Sequence, residues 1–169
     1  MMRKIRKRRV AQEINRAGVI VGISVLVAVQ LILWFVVGIP IGIFHYLRGT
    51  VPLLPRWLYM FSELTAHGLL GAAIGAALCA RRYPCETQKY RGAFYFLLAI
   101  LFGYLYYAFF FGVGFFLVAF VLAAMELLAL AVAALNFLHV VRLSAFLSGL
   151  GCLWALYRVF LSFSAFFGI

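Results

Sequence analysis

Five long apolar runs divide this sequence, and their length constrains the fold more than any other feature. A helix that crosses a bilayer needs about 20 consecutive apolar residues. The runs are continuous and do not alternate, whereas the strands of a membrane β-barrel need segments of about 10 residues that alternate in polarity. We therefore predict an all-α polytopic membrane protein, a bundle of five transmembrane helices. The predicted spans cover 17–37, 57–80, 93–111, 114–140 and 143–166.

The composition excludes the other classes. The chain has 169 residues, of which 67% are hydrophobic and 11% charged. A soluble domain is about half apolar and a quarter charged. A protein of 19.0 kDa has too little interior to bury so much apolar surface in water. Soluble, disordered and collagen-like chains are excluded, and a single membrane domain over 17–169 is predicted behind a basic N-terminal arm over 1–16.

The basic residues predict an orientation. The 15 Lys and Arg outnumber the 4 Asp and Glu, and the net charge is +11. Most of them flank the predicted spans on one side, in the arm, in the segment 81–91 and at Arg142, while Arg48 and Arg56 flank the other. Loops rich in Lys and Arg stay in the cytoplasm. We expect a protein of the cell (inner) membrane with its N-terminus in the cytoplasm and its C-terminus outside. The basic face should contact anionic lipid headgroups rather than nucleic acid.

Four ionisable residues fall inside predicted spans, where such side chains are costly and are by default functional candidates. The depth of each residue can be counted from the outer end of its predicted span at about 1.5 Å per residue. It is roughly 10 Å for Glu63, roughly 12 Å for Arg158, roughly 15 Å for His67 and roughly 18 Å for Glu126. All four fall in the outer half of the bilayer. We predict a polar cluster in which Arg158 is countered by Glu126, Glu63 or both. The cluster is a structural ion pair, a polar anchor in a ligand cavity, or a relay for protons or ions.

Small residues line the same helical faces. Glu63 and His67 share an i, i+4 stripe with Gly71 and Gly75, and Gly71-Ala-Ala-Ile-Gly75 is a GxxxG motif that allows close helix approach. Alanines surround Glu126 at helical spacing, which predicts that this face looks inward. Such faces also suit docking to partner subunits.

The third span is unusually aromatic. Tyr104 and Tyr107 lie deep enough in it for their hydroxyl groups to need partners, so they either stack a flat ligand or pack in the core. No HExxH, CxxC or Asp is present. We therefore predict no catalytic residues, no metal site and no enzyme.

The second to fifth spans resemble a known family. The matching stretches are Arg142-Leu-Ser-Ala145 and Leu153-Trp154-Ala-Leu-Tyr157. A weaker match begins at Pro55-Arg-Trp57. They are similar to the tryptophan-rich sensory protein family, the TspO-like proteins related to the mitochondrial translocator protein. The resemblance implies a five-helix bundle, often a homodimer, which binds tetrapyrroles or sterol-like ligands in a central cavity. Trp154, Tyr157 and Tyr107 match its cavity positions.

The sequence leaves two main functions open, beside a third, a proton-coupled carrier that uses Glu63, His67 and Glu126. The leading prediction is a membrane protein that binds a small amphipathic or tetrapyrrole-like ligand inside its bundle, for transport or sensing. The alternative is a non-catalytic, substrate-binding membrane subunit of a larger transporter complex. The predicted ligand-binding residues are Glu63, His67, Tyr104, Tyr107, Glu126, Trp154, Tyr157 and Arg158. No cofactor is certain, although a bound tetrapyrrole or lipid-like molecule fits the prediction.

Overall fold

The computed structural model describes residues 16–37, 54–80 and 86–168. This part of the chain folds into five long helices, each long and apolar enough to cross a membrane. The predicted all-α class is therefore confirmed. The helices are α1 (Arg16–Val37), α2 (Arg56–Leu78), α3 (Glu86–Tyr107), α4 (Phe116–Leu138) and α5 (Arg142–Phe167).

Most helix ends lie within two residues of the predicted spans, and the two ends of α3 are the exceptions. This helix ends at Tyr107, before the predicted end at residue 111, because a π-helical segment follows it. The prediction began this span at residue 93, but α3 begins at Glu86. Its first turns carry Lys89 and Arg91, which are good helix formers. The helix therefore extends beyond the apolar run that defines the span. The basic arm, apart from Arg16, lies outside the described residues.

A change of helix type ends the third span. The π-helical segment Ala108–Val113 follows α3 directly. Gly114 then adopts a φ of 77°, a left-handed conformation that glycine reaches without steric strain. The Phe115 N–H donates to the Phe109 carbonyl oxygen over 3.0 Å across this turn. The tight turn allows α4 to return antiparallel to α3 after a very short connection.

The helices neighbour one another in the order α1, α2, α5, α4, α3. Extensive contacts join α3 to α4, α4 to α5 and α1 to α2, whereas α2 meets α5 less extensively and α3 only slightly. Short connections make α3, α4 and α5 antiparallel neighbours, as expected for a bundle. Four helices, α2 to α5, thus surround the middle of the molecule, and α1 covers the outer face of α2.

The contact between α1 and α2 depends on two glycine pairs. A Cβ atom at Gly22 would collide with the carbonyl oxygen of Gly71, and a Cβ at Gly75 with that of Gly18. The GxxxG motif of α2 therefore packs against a second GxxxG, Gly18 to Gly22 of α1, which the sequence analysis missed. This small-residue face is occupied within the chain, so it is not a free surface for a partner subunit.

Two apolar cores lie one above the other. One contains mostly alanines with Phe96 and Phe137, and the other is aromatic, with Tyr59, Tyr106 and Phe110. On each of four helices a polar or glycine position separates the two cores. These positions are Glu63 on α2, Gly103 on α3, Glu126 on α4 and Arg158 on α5.

Candidate functional site

Arg158 is the centre of the polar cluster. Arg158 is 1% exposed, and the residues Glu63 and Glu126 are 0% and 4% exposed. Nη1 of Arg158 donates to both carboxylate oxygens of Glu126, at 2.9 and 2.8 Å, and Nη2 donates to Oε1 of Glu63. One guanidinium therefore binds two carboxylates from two other helices. The prediction left open which glutamate pairs with Arg158, and the structure brings both to it.

The neighbouring helices leave room for this ion cluster. A Cβ atom at Gly103 would lie only 2.9 Å from Oε1 of Glu126 and 3.0 Å from Nη1 of Arg158. The charged groups therefore pack directly against the backbone of α3. The small face predicted around Glu126 is inward as expected, because Ala123 and Ala129 are buried.

An aromatic ring completes the surroundings of the guanidinium. The Arg158 guanidinium carbon lies 5.0 Å from the centre of the Tyr106 ring, within the range of a cation–π interaction. The Nε of Arg158 is buried with no hydrogen-bond partner among the described residues. Sequence analysis did not single out Tyr106, because nothing distinguishes it from its many aromatic neighbours in α3.

Trp154 extends the cluster towards α5's outer surface. Its indole Nε1–H donates to Oε2 of Glu63 over 2.9 Å. Its ring centre lies 5.2 Å from that of Tyr157 and 5.3 Å from that of Tyr59. The Tyr157 hydroxyl accepts a 3.2 Å hydrogen bond from the backbone N–H of Leu54. Trp154 and Tyr157, two of the three residues that the family resemblance picked out, thus lie side by side, and Trp154 contacts the ion cluster.

His67 and Tyr104 form a second extension. Nδ1 of His67 lies 2.9 Å from the Glu63 carbonyl oxygen. Because a carbonyl oxygen can only accept, Nδ1 carries the hydrogen. The imidazole is stacked on the Tyr104 ring at 5.6 Å and 12°, and the Tyr104 hydroxyl is buried with no hydrogen-bond partner in the described chain. Tyr107, by contrast, packs into the aromatic core with its ring centre 5.0 Å from that of Phe111.

Gln30 is a buried polar residue that the sequence analysis missed. It is 0% exposed, and neither its amide nitrogen nor its oxygen has a hydrogen-bond partner among the described residues. Residues 18 and 22 of α1 lie opposite residues 75 and 71 of α2, and the same antiparallel register places Gln30 opposite Glu63. An amide within the first apolar run was a readable signal, because polar groups inside spans usually face the protein.

An open groove of about 320 Å³ lies beside the cluster, between α2 and α5. Its wall is apolar except for Ser62 and Thr65, and Trp154 forms part of it. The Trp154 side chain therefore both lines the groove and donates the hydrogen bond to Glu63. The lining residues are Phe61, Ser62, Thr65, Ala66, Leu69, Leu150, Gly151, Leu153 and Trp154.

The chain matches no protein-family model, no curated protein and no solved structure. The resemblance to TspO-like proteins therefore stays a prediction from the residues in which it was seen. Function has to be inferred from the ion cluster, its aromatic extensions and the groove.

Proposed function

We propose that this protein binds a small amphipathic molecule in the groove between α2 and α5, within the membrane, for transport or sensing. A binding site for such a molecule combines an apolar wall with a few fixed polar groups. The groove provides an apolar wall with the polar side chains of Ser62 and Thr65. Glu63, Glu126 and Arg158 do not line it, and the ion cluster reaches the groove through Trp154. The observation that carries the proposal is the position of Trp154, which lines the groove and donates to Glu63.

The contacts of Trp154 support recognition of a flat ligand. The Nε1–H hydrogen bond fixes the orientation of the indole, and the rings of Tyr157 and Tyr59 support it. A fixed aromatic surface favours stacking, because little side-chain freedom is lost when a ligand binds. A tetrapyrrole, the ligand class implied by the family resemblance, presents such a flat ring. The open side of the groove allows a larger ring to extend into the lipid.

Fluorescence of Trp154 tests the proposal directly. Trp34→Phe and Trp57→Phe together leave Trp154 as the single tryptophan of the chain. We expect protoporphyrin IX dimethyl ester, an uncharged tetrapyrrole, to quench this fluorescence saturably in nanodiscs, because a bound ring would contact the indole. The measurement is a titration at constant lipid concentration.

A matched pair of variants separates binding from partition into lipid. Thr65→Phe fills the groove and should abolish saturable quenching. Leu135→Phe adds a ring at an exposed position of α4, away from the groove, and should leave the quenching unchanged. Quenching that rises linearly, and equally in both variants, would show that the probe only dissolves in the bilayer and would refute the proposal.

A further inference from the structure

The buried cluster contains one more acidic group than basic groups. Glu63 and Glu126 both pair with the single guanidinium of Arg158. With both carboxylates ionised and His67 neutral, the set carries one negative charge. An uncompensated charge inside a membrane protein is strongly unfavourable. The stable state of the cluster therefore holds one additional positive charge, either a proton or a cation from outside.

No other described group near the cluster supplies that charge. Arg56 begins α2, about 10 Å along the helix axis from Glu63. Gln30 from α1 is uncharged. The tyrosines and Cys152 are neutral when protonated, so only a carboxyl group or His67 can hold the additional proton. The titratable and charged groups around the cluster are Tyr59, Glu63 and His67 from α2, Tyr104, Tyr106 and Tyr107 from α3, Glu126 from α4, and Cys152, Tyr157 and Arg158 from α5.

Trp154 connects the negatively charged cluster to the groove, because it lines the groove and donates to Glu63. An indole face attracts cations through its quadrupole. The hydrogen bond from Nε1 to the Glu63 carboxylate polarises the ring, as linked hydrogen bonds do, and makes its face a better partner for a cation. An anion would add to the negative excess, because the two carboxylates bound to Nη1 and Nη2 already outnumber the single guanidinium of Arg158.

We propose that the groove binds a lipophilic organic cation and that the cluster releases its proton when the cation binds. This inference rests on the proposed function and names the ligand class of the same site. In the exchange the proton leaves a carboxyl group or His67 for the solution, and the cation replaces its charge. The total charge of the site is unchanged, which avoids leaving an unpaired charge in the membrane.

Two ions of nearly equal shape and opposite charge test the proposal. In the variant with Trp154 as the single tryptophan, tetraphenylphosphonium should quench the fluorescence saturably, and tetraphenylborate should not. If one proton is released per cation bound, the dissociation constant of tetraphenylphosphonium should fall by up to about tenfold per pH unit as the pH rises. The measurement is the same nanodisc titration at several pH values.

Substitutions of the two glutamates test whether the ion cluster causes the pH dependence of cation binding. Glu63→Gln and, separately, Glu126→Gln leave one carboxylate on Arg158, so the cluster is neutral without a proton. Both variants should bind tetraphenylphosphonium at least about tenfold more weakly and without pH dependence. Glu86→Gln removes the same charge from an exposed position in the first turn of α3 and should behave as the parent protein.

The outcomes distinguish this inference from the proposed function. If the uncharged tetrapyrrole ester fails to bind saturably, the proposed function is wrong, whether or not tetraphenylphosphonium binds. If the ester binds but tetraphenylphosphonium shows no pH dependence, or binds Glu63→Gln as well as the parent, only the present inference is overturned. Glu126→Gln repeats the charge test should Glu63→Gln fold poorly, and the pH dependence in the parent protein decides the matter without either variant.

Discussion

At the residue scale, the buried charges were the most predictable part of the site. Glu63, Glu126 and Arg158 stand out because ionised groups are rare inside spans, and their depth and helical faces were sufficient to bring them together. The residues that accommodate them were harder to recognise. Gly103 acts by leaving space, and Tyr106 acts by its position under a guanidinium. Neither property is visible in a sequence, because both depend on how the helices are rotated against each other.

Loss of Arg158 should be severely destabilising. Arg158→Leu leaves two carboxylates buried without a cation, and breaking a buried ion pair in this way costs about 3–5 kcal/mol. We expect a large fall in the free energy of unfolding or in folded yield at neutral pH. The loss should become smaller as the pH falls, because protonation removes the unpaired charges. Thermal unfolding followed by circular dichroism in detergent at several pH values measures both effects.

The charge explanation has a specific control. Adding Glu63→Gln and Glu126→Gln to Arg158→Leu removes the unpaired charges while keeping side chains of similar size. We expect this triple variant to recover most of the lost stability and to lose the dependence on pH. A triple variant as unstable as Arg158→Leu would mean that packing around the guanidinium matters more than charge.

Gly103 should be intolerant of even one methyl group. A Cβ at this position would lie 2.9 Å from Glu126 and 3.0 Å from Arg158, so the cluster must shift. Overpacking of this kind costs about 1–3 kcal/mol, although alanine is the better helix former. Gly149→Ala is the matched control, since no atom lies within 4 Å of a Cβ there. Unfolding temperatures of the two variants should differ, and equal values would contradict the tight packing around the cluster.

At the element scale, the apolar runs predicted all five helices because the bilayer requires a fixed length of apolar residues. The same signal misplaced the start of α3. Hydropathy marks only the residues that lie in the hydrocarbon core, whereas a helix can continue beyond them into polar residues. The π-helical turn at Ala108–Val113 left no signal in composition. The partner of the α2 GxxxG was readable in the sequence as Gly18 to Gly22, but nothing in the sequence decides which two glycine faces pair.

The glycine contact should hold α1 to the rest of the bundle. Gly22→Ala or Gly71→Ala places a Cβ against an opposing carbonyl oxygen, and backbone cannot move aside as a flexible side chain can. We expect each variant to lose about 1–3 kcal/mol. Gly68→Ala, on the same helix, meets no atom within 4 Å and should gain about 0.5–1 kcal/mol from helix propensity. Thermal unfolding of the three variants measures the difference.

The position of α1 also bears on the site. If the glycine variants separate α1 from α2, Gln30 should move away from the level of Glu63. Quenching of Trp34, which is buried on α1, by a lipid-soluble quencher should then increase in Gly22→Ala and stay constant in Gly68→Ala. Unchanged quenching in Gly22→Ala would mean that other contacts hold α1 in place.

At the scale of the whole molecule, the antiparallel helices collect the basic residues at one end. Arg16 begins α1, Lys89 lies in the first turn of α3 and Arg142 begins α5, and these helix starts lie at the same end of the bundle as the end of α2. The sequence analysis predicts 12 of the 15 basic residues on this side and 2 on the other, and Arg158 is buried within the bundle. On that prediction the charge belongs mainly to one face, while the function proposed here depends on the few charges inside.

This asymmetry predicts how the protein lies in a membrane. Each Lys or Arg near an anionic surface contributes about 1 kcal/mol, so an excess of ten on one face should strongly favour that face in the cytoplasm. We expect alkaline phosphatase fused after the last residue to be active in a bacterial host, since this reporter folds only outside the cytoplasm. The same enzyme fused after Val140, at the end of the α4 segment, should be inactive. The reverse pattern would contradict the charge argument and place the outer ends of α2 and α5, with the groove between them, towards the cytoplasm.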